Sequence, residues 1–297
     1  ASNHFDLIHV HTQFNFTASA ASWVGKLANL PVIIRPTGTL DPWCLAYKAW
    51  KKRPYFRLFI KPALRWASAI HVTSEHERAS IEGLGFGEKA HILPLCAEPV
   101  SPSFQWSPVQ EPKEILFMSR WDTVKNIPNL LRAFQLFHRD HKDVRLVLAG
   151  SGHSQLTHEI HSLIAELGIS EYVDTPGFLS GSQKEEAFER ASLFVLPSFQ
   201  ENFGIAAIEA LARGVPLLMS DGLALSRECR DYDAATLINP ESLTSLVQGI
   251  SEMFQEARMI SSSRNGKALV SELFAVDKMT SGLSELYSNV LATRNST

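Results

Sequence analysis

The sequence predicts an α/β protein with two parallel sheets, and three observations lead to that class. Apolar runs rich in β-branched residues alternate with longer stretches that suit crossover helices. The apolar runs are nearly continuous, which is typical of strands covered on both faces. The chain has 297 residues, about two domains of ordinary size, and is 45% hydrophobic and 20% charged, which excludes a disordered protein.

The predicted elements follow one another in strand–helix–strand order. The predicted strands are residues 7–10, 32–34, 69–72, 90–93, 115–118, 144–149, 193–196 and 216–219. The clearest helical segments between them are residues 127–138, 155–167 and 184–191, and a last one covers 276–292. This repetition indicates parallel sheets with helices on their faces.

A proline-rich break divides the chain. Residues 94–112 hold five prolines and few periodic apolar residues, and a new strand follows. Because proline restricts itself and the preceding residue to extended or turn conformations, the break predicts an interdomain boundary. We expect a first domain over residues 1–100, a linker over 101–112 and a second domain over 113–275. The first domain has about four strands and begins almost directly on one without Met, so we interpret it as incomplete at its N-terminus.

Charge and cysteine content exclude several protein classes. The net charge of −3 gives no overall basic field for nucleic acid. No apolar run reaches the roughly 18 residues of a membrane-spanning helix, and the first residues lack the pattern of a signal peptide. Cys44, Cys96 and Cys229 are far apart, which argues against a disulfide framework and favours the cytoplasm.

The most informative segment covers residues 194–216. A buried strand is predicted to end at Pro197, and a helix to begin near Phe203 and end at Gly214, a typical stop signal. Loops at the carboxyl ends of parallel strands commonly bind ligands. A helix start with Gly204 beside it offers backbone N–H groups and a positive dipole end, which suit a phosphate.

Two glutamates flank this helix start. Glu201 lies before the helix and Glu209 about two turns inside it, so they could hold hydroxyls at two ends of one elongated ligand. Taken alone, the pair favours a reading without a ligand, in which Glu201 is an N-terminal helix charge and Glu209 a solvated helix residue.

The same segment resembles a known family. Residues 201–209 match the E-x7-E motif of retaining glycosyltransferases of the GT-B fold, and residues 210–216 resemble glycosyltransferase family 4. Further segments resemble family motifs in order: residues 5–11 (D-[VI]-[VI]-H-x-H), 117–126 (G-R-L-x-x-x-K-[GN]), 148–152 (L-x-G-x-G) and 173–178 (V-x-F-x-G). Residues 35–43 and 73–75 resemble segments of bacterial members that build polysaccharides.

The resemblance implies two Rossmann-like, doubly wound parallel-sheet domains that face a cleft, with residues 276–297 packing back on the first. It implies a retaining, metal-independent hexosyltransferase that moves a sugar from a nucleotide sugar to a glycan or lipid-linked acceptor in polysaccharide biosynthesis. No cofactor is expected, and among donors a UDP-sugar is favoured over a GDP-sugar as the commoner case in the family. Attack on the leaving-group face, helped by the departing phosphate, is implied in the same way.

The resemblance also assigns site residues. The implied catalytic residues are Glu201, Arg120, Lys125 and His11, with Arg120 and Lys125 meeting the donor diphosphate. The implied donor- and nucleotide-binding residues are Glu209, Phe203, Gly204, Ile205, Gly177, Phe178, Gly150 and Gly152. On the acceptor side the resemblance points to Arg35 and Gly38. We expect no metal: the Asp231–Asp233 pair follows the wrong element, and His153, His158 and His161 fit a solvated face.

A basic stretch and two other functions remain open at this level. Residues 48–66 interleave aromatic residues with Lys and Arg, without Asp or Glu. They fit peripheral contact with an anionic membrane on the cytoplasmic side, or equally a solvated helix pair with a buried aromatic face. The alternative functions are a nucleotide-sugar epimerase on the same fold and a non-catalytic nucleotide-sugar-binding scaffold subunit. The latter is motivated by the incomplete first domain and by Arg35 to Gly38 standing where many members carry a His.

Overall fold

A computed structural model of the chain describes residues 5–102, 104–108 and 113–295. They form two compact units, one containing the residues up to Leu95 together with those from Val276, the other covering Cys96–Ala275. The division therefore falls before the predicted linker. Trp106 of that segment donates from Nε1 to the Ala191 carbonyl oxygen at 2.9 Å, inside the second unit. Linker residues 103 and 109–112 lie outside the described ranges.

The first unit contains a four-stranded parallel sheet with the strands in sequence order. Its strands are β1 (Ile8–His11), β2 (Val32–Arg35), β3 (Ala69–Val72) and β4 (Ala90–Ile92). The helices between them are α1 (Phe16–Leu27), α2 (Pro42–Ala46), α3 (Ala49–Tyr55), α4 (Lys61–Trp66) and α5 (Glu75–Gly83). A π-helical turn, Phe56–Ile60, joins α3 to α4 just after Pro54, whose ring nitrogen has no hydrogen to donate.

The second unit contains a six-stranded parallel sheet. Its strands are β5 (Lys113–Met118), β6 (Val144–Ala149), β7 (Val173–Gly177), β8 (Ala191–Leu196), β9 (Leu217–Ser220) and β10 (Ala235–Ile238). The spatial order is β10-β9-β8-β5-β6-β7, which is the doubly wound order with its switch point between β5 and β8. The predicted α/β class with two parallel sheets is thereby confirmed.

Helices flank the second sheet and one more follows it. They are α6 (Ile127–His138), α7 (Ser154–Glu166), α8 (Ser182–Arg190), α9 (Ile205–Arg213), α10 (Ser226–Asp231), α11 (Leu243–Met253), α12 (Glu256–Leu273) and α13 (Val276–Asn295). Short 3-10 turns cover Gly87–Lys89, Thr123–Lys125 and Ser170–Tyr172. No helix within the described ranges is long and apolar enough to cross a membrane.

Helix α9 begins two residues later than the sequence predicts. It starts at Ile205, because Gly204 caps it in the left-handed region at φ 83°. It ends where predicted, since Gly214 takes φ 76° and its N–H bonds to the Leu211 carbonyl at 3.0 Å. Left-handed backbone favours glycine at both ends.

The two faces of the first sheet have different cover. Right-handed crossovers between strands in sequence order place the connecting helices on one face, where Ile34 packs in a cluster with Leu64 and Ile81. On the other face Ile33 packs in a cluster with Leu286 of α13. The last helix therefore packs on the first unit, and it buries the face that the crossovers leave open.

Candidate functional site

A cavity of about 780 Å³ opens in the second unit at the carboxyl ends of β5, β6 and β7, on one side of the switch point. The strand ends contribute its floor, and α8 and α9 contribute charged side chains. Its lining consists of Glu98, Met118, Ser119, Arg120, Gly150, Ser151, Phe178, Leu179, Ser180, Gly181, Lys184, Glu185 and Glu209. This is the place in a doubly wound sheet where ligands bind.

The backbone segments that follow β5 and β6 approach each other closely beneath the cavity. The Gly150 N–H bonds to the Gly177 carbonyl at 2.7 Å. A Cβ at Gly150, whose φ is 122°, would lie 1.8 Å from the Ser119 carbonyl oxygen, and one at Gly152 would lie 2.8 Å from the Trp121 carbonyl oxygen. Glycine is therefore required at both positions for the loops after β5 and β6 to meet.

Glu209 reaches the cavity from within α9. Its side chain is 8% exposed, and Oε1 accepts a hydrogen bond from the Lys184 ammonium at 2.9 Å. Lys184 also donates to Oε2 of Glu98 at 2.6 Å. Glu209 is therefore a buried, paired carboxylate, and the solvated helix residue considered from the sequence is wrong.

The opposite charges of Glu98, Lys184 and Glu209 stabilise one another. Burial alone would lower the pKa of Lys184, but the hydrogen bonds to Glu98 and Glu209 outweigh burial and raise it above its ordinary value. The hydrogen bond from Lys184 lowers the pKa of the Glu98 carboxyl. The ammonium and the Glu98 carboxylate are therefore both charged at neutral pH.

Arg213 fixes the far end of α9. Its side chain is 1% exposed, and its guanidinium pairs through two nitrogens with the two carboxylate oxygens of Glu185. A third nitrogen donates to the Glu209 carbonyl oxygen at 3.0 Å, and the guanidinium lies 4.8 Å from the Phe188 ring centroid. Arg213 therefore joins α8 to α9 beside the cavity.

Lys125 and Glu201 form an ion pair between Nζ and Oε2, with side chains 10% and 19% exposed. Their loops are joined by Asn126, which donates from Nδ2 to the Pro197 carbonyl at 3.1 Å, and by Phe199, whose N–H bonds to the Val124 carbonyl. The structure thus brings together two residues that the sequence separates by 76 positions.

The other predicted residues of this unit have different settings. Arg120 and Phe178 line the cavity, and both are open to solvent, with the Arg120 side chain 76% exposed and Phe178 78% exposed. At the start of α9, Gly204 provides no side-chain cap, Ile205 is partly exposed and Phe203 is buried against Phe274. The first turn of α9 thus keeps backbone N–H groups that no side chain caps.

His11 and Arg35 lie in the first unit, opposite each other at the ends of β1 and β2. His11 is part of a histidine cluster, with ring centroids 4.4 Å apart between His9 and His11 and 5.4 Å apart between His9 and His71. Burial, and then the charge of His11, lowers the pKa of His9 to about 3, and burial lowers that of His71 to about 4. His9 Nδ1 contacts the Tyr287 hydroxyl at 2.8 Å.

Gly38 is held by a buried carboxylate of its own unit. Its N–H donates to Oε1 of Glu77 at 2.6 Å, and Oε2 of Glu77 accepts from the Thr73 N–H at 2.8 Å. The predicted acceptor-side loop is therefore pinned to the start of α5 through Glu77, which is 4% exposed.

Within the described parts of the chain, no group of three or more His, Cys, Asp or Glu side chains is arranged to hold a metal ion. His153 instead caps α7, its ring nitrogen accepting from the Leu156 N–H at 3.2 Å.

Sequence reasoning missed Lys184, Glu98 and Arg213. Each has an ordinary local sequence, and its contacts span many positions: Lys184 meets Glu98 across 86 residues and Glu209 across 25. The one available signal for Arg213 was its place directly before the helix stop at Gly214, on an otherwise apolar segment.

The fold is similar to that of solved structures. Anabaena HepE, solved in complex with UDP and glucose, superposes with a TM-score of 0.79 at 18% identity, over 96% of this chain and 78% of that one. A TM-score of 0.79 at 18% sequence identity shows that the two chains share a fold. The GT-B expectation is confirmed by that likeness.

Curated relatives match by sequence. An uncharacterized glycosyltransferase of Methanocaldococcus jannaschii is 30% identical over 144 residues, which cover 48% of this chain and 36% of that protein. A GDP-mannose:cellobiosyl-diphosphopolyprenol alpha-mannosyltransferase of Xanthomonas oryzae pv. oryzae is 24% identical over 239 residues, 80% of this chain and 62% of that protein. This chain thus spans between about a third and three fifths of the length of these relatives.

Two family descriptions cover most of the sequence. Residues 1–96 match the glycosyl transferase 4-like domain, and residues 102–266, which include the whole cavity apart from Glu98, match the glycosyl transferases group 1. The second match covers more than half of the chain. The chain belongs to the glycosyl transferases group 1 family.

Proposed function

We propose that this chain is a retaining, metal-independent glycosyltransferase of hexosyltransferase type. It moves a sugar from a nucleotide-sugar donor to a glycan or lipid-linked acceptor in polysaccharide biosynthesis. The observation that carries the proposal is the cavity at the switch point, where the buried carboxylate of Glu209 and the exposed cation of Arg120 line one space large enough for a nucleotide.

The donor is held by complementary charge. Glu209 accepts hydrogen bonds from the ribose hydroxyls, because it is a fixed, buried acceptor. Arg120 and Lys125, together with the N–H groups at the start of α9, bind the diphosphate. Glu201, which pairs with Lys125, holds hydroxyls of the donor sugar. The cation of this ion pair therefore contacts the diphosphate, and its anion contacts the sugar.

The proposed reaction needs no cofactor. The bond between the anomeric carbon and the diphosphate oxygen breaks, and a bond from that carbon to the acceptor hydroxyl oxygen forms on the same face. The acceptor proton passes to the departing phosphate. Preorganised cations at Arg120 and Lys125 stabilise the negative charge that develops on this leaving group, an effect that is commonly the largest single contribution to catalysis.

The proposed donor is a UDP-sugar. The likeness to HepE, which was solved with UDP and glucose, supports this choice. The mannosyltransferase relative is named for GDP-mannose, so the two nucleotides are the first pair to compare.

The acceptor side is proposed to contact the cytoplasmic face of a membrane through residues 48–66. The expected buried aromatic face is present only in part, because Trp50 is 74% and Phe59 40% exposed. Lys51 lies 4.9 Å from the Trp50 ring centroid, so a cation and an indole are presented together. Such pairs suit the headgroup region of an anionic bilayer, where a lipid-linked acceptor would be bound.

Donor binding is tested by thermal shift with UDP, GDP, ADP and their common sugars. At about 100 times Kd, a bound nucleotide adds about 2.7 kcal/mol of stability. We expect a shift with UDP in the wild type and none in Glu209→Ala, because the ribose acceptor is removed. Glu166→Ala, an exposed glutamate of α7, is the matched control and should keep the shift. No shift with any nucleotide in the wild type would overturn the proposed donor site.

Product analysis separates the alternatives. Incubation of a bound UDP-sugar with lipid-linked glycan acceptors should release free UDP and form a new glycoside with the donor's anomeric configuration. An interconverted sugar nucleotide would identify an epimerase instead, and binding without turnover on any acceptor would identify a scaffold subunit.

A further inference from the structure

The end of the cavity that contains Glu209 carries a hydrogen-bond donor and an acceptor side by side. Lys184 Nζ and Glu98 Oε2 are 2.6 Å apart, and both residues line the cavity. Because Glu209 is the proposed ribose acceptor and lies 2.9 Å from the same ammonium, this pair lies next to the sugar that bears the base. Phe178, exposed on the same cavity, offers a ring face on which a base can stack.

The pair has hydrogen-bonding capacity to spare. An ammonium has three N–H groups, and the described contacts of Lys184 use one for Glu98 and one for Glu209. Glu98 accepts from Lys184 at Oε2 and its carboxyl also contacts Glu209, and because a carboxylate has about four acceptor positions, it can still accept from a ligand. The Lys184 side chain is 17% exposed and that of Glu98 63%, so the cation is fixed from inside while the carboxylate faces the opening.

Nucleobases differ in the edge they offer to such a pair. Uracil and guanine present a keto oxygen beside a ring N–H, so a cation can donate to the oxygen and a carboxylate can accept from the N–H. Cytosine and adenine present an amino group beside a ring nitrogen lone pair. On these bases the ammonium faces N–H hydrogens and the carboxylate faces a lone pair, and both contacts are repulsive.

We propose that Lys184 and Glu98 read the base of the donor and select nucleotides with a keto oxygen beside a ring N–H over those with an amino group beside a ring nitrogen. This proposal rests on the proposed donor site, since it takes Glu209 as the ribose acceptor. It goes beyond that site in naming the residues that decide the base class. The raised pKa of Lys184 and the lowered pKa of Glu98 keep both groups charged at neutral pH.

The test uses ligands that differ only at this edge. UDP, CDP and N3-methyl-UDP share their ribose and diphosphate, and their affinities are measured by isothermal titration calorimetry. We expect the wild type to bind UDP about tenfold or more tighter than CDP and N3-methyl-UDP, as a hydrogen bond to a charged group implies. Lys184 is left unchanged, because its removal would leave the buried Glu209 without its cation.

Variants at Glu98 separate the base contact from general effects. Glu98→Ala should weaken UDP binding about tenfold and leave N3-methyl-UDP unchanged, so the preference for UDP over N3-methyl-UDP disappears. CDP should bind no more weakly than before, because the repulsive carboxylate is removed. Glu98→Gln keeps an acceptor oxygen and should retain part of the preference. Asp143→Ala, which removes the exposed ion pair with Lys113 elsewhere in the same unit, is the matched control and should keep the full preference.

Each outcome decides one claim. Equal wild-type affinity for UDP and CDP, or a preference for UDP over N3-methyl-UDP that persists in Glu98→Ala, would overturn the base-reading role and leave the donor site intact. Failure of every nucleoside diphosphate to bind the wild type would instead overturn the proposed donor site itself.

Discussion

Single residues decide how closely the loops beneath the cavity can approach each other. Gly150 at the end of β6 meets the Ser119 carbonyl so closely that no side chain fits, and its φ of 122° excludes other residues independently. Arg213 and Lys184 have the opposite role, because each places a cation against carboxylate partners beside the cavity. The candidate site therefore depends on glycines that can have no side chain and on two residues that must be charged.

Gly150→Ala should destabilise the second unit by about 3 kcal/mol or more, since left-handed strain and a clash with backbone act together. The control is Gly168→Ala, where φ is also positive, at 66°, but a Cβ would meet nothing within 4 Å. Strain alone applies there, so the loss should be about 1 kcal/mol. Urea unfolding of both variants measures the difference, and equal losses would contradict the close approach of the loops.

Arg213→Ala should cost about 3 kcal/mol in the free energy of unfolding, because Glu185 and the Glu209 carbonyl lose their buried partner. Urea denaturation provides the measurement. Arg190→Ala, which breaks an ion pair whose arginine side chain is 57% exposed, should lose about 1 kcal/mol or less and is the matched control. A loss for Arg213→Ala no larger than that of the control would contradict a structural role for the buried guanidinium.

At the level of elements, the long apolar strands were the most predictable and the edge strands of the second sheet the least. All eight predicted strands are present, while β7 and β10 were not predicted as strands. Both are sheet edges, and the middle of β7 is exposed. Edge strands pack against a neighbour on one side only, so their sequences need not carry the continuous apolar run of a central strand.

The helices α3 and α4, with the π-helical turn between them, carry the proposed membrane contact. Changing Lys51, Arg53 and Arg57 together to Gln should reduce binding to phosphatidylglycerol-containing vesicles about 100-fold, at about 1 kcal/mol per basic residue. The matched control changes Arg132, Arg139 and Lys142, also exposed, to Gln in the second unit. Vesicle co-sedimentation at low and high salt measures both, and equal losses for the two triple variants would show that net charge, not this surface, causes binding.

At the level of the whole molecule, histidines of the first unit make its stability depend on pH. His71 is buried, and His9 is partly buried and contacts Tyr287 of α13. Burial lowers the pKa of His71 to about 4 and contributes most to the lowered pKa of His9. In the unfolded chain a histidine titrates near pH 6.5. Below that pH the unfolded state therefore binds more protons than the folded state, and acid favours unfolding.

We expect the first unit to lose stability as the pH falls from about 6.5 towards 4, with each buried histidine contributing at most about 1.4 kcal/mol per pH unit. His71→Gln keeps a donor for the Leu93 carbonyl but cannot titrate, so its stability should fall less steeply over this range. Urea midpoints between pH 7 and pH 5 measure the slope, and His158→Gln at an exposed position of α7 is the control. An unchanged slope in His71→Gln would contradict the prediction.

The sequence by itself determined the α/β class, the central strands and the family motifs, because strand periodicity, helix stop signals and motif spacing are local properties of the chain. The tertiary structure decided which of those residues meet. The pairing of Lys125 with Glu201, the Glu98–Lys184–Glu209 group and the contact of Arg213 with Glu185 all join distant segments. A charged side chain has the same local pattern whether it is solvated or buried, and only the packing of β5, β6, β7, α8 and α9 around one cavity supplies the partner that makes burial favourable.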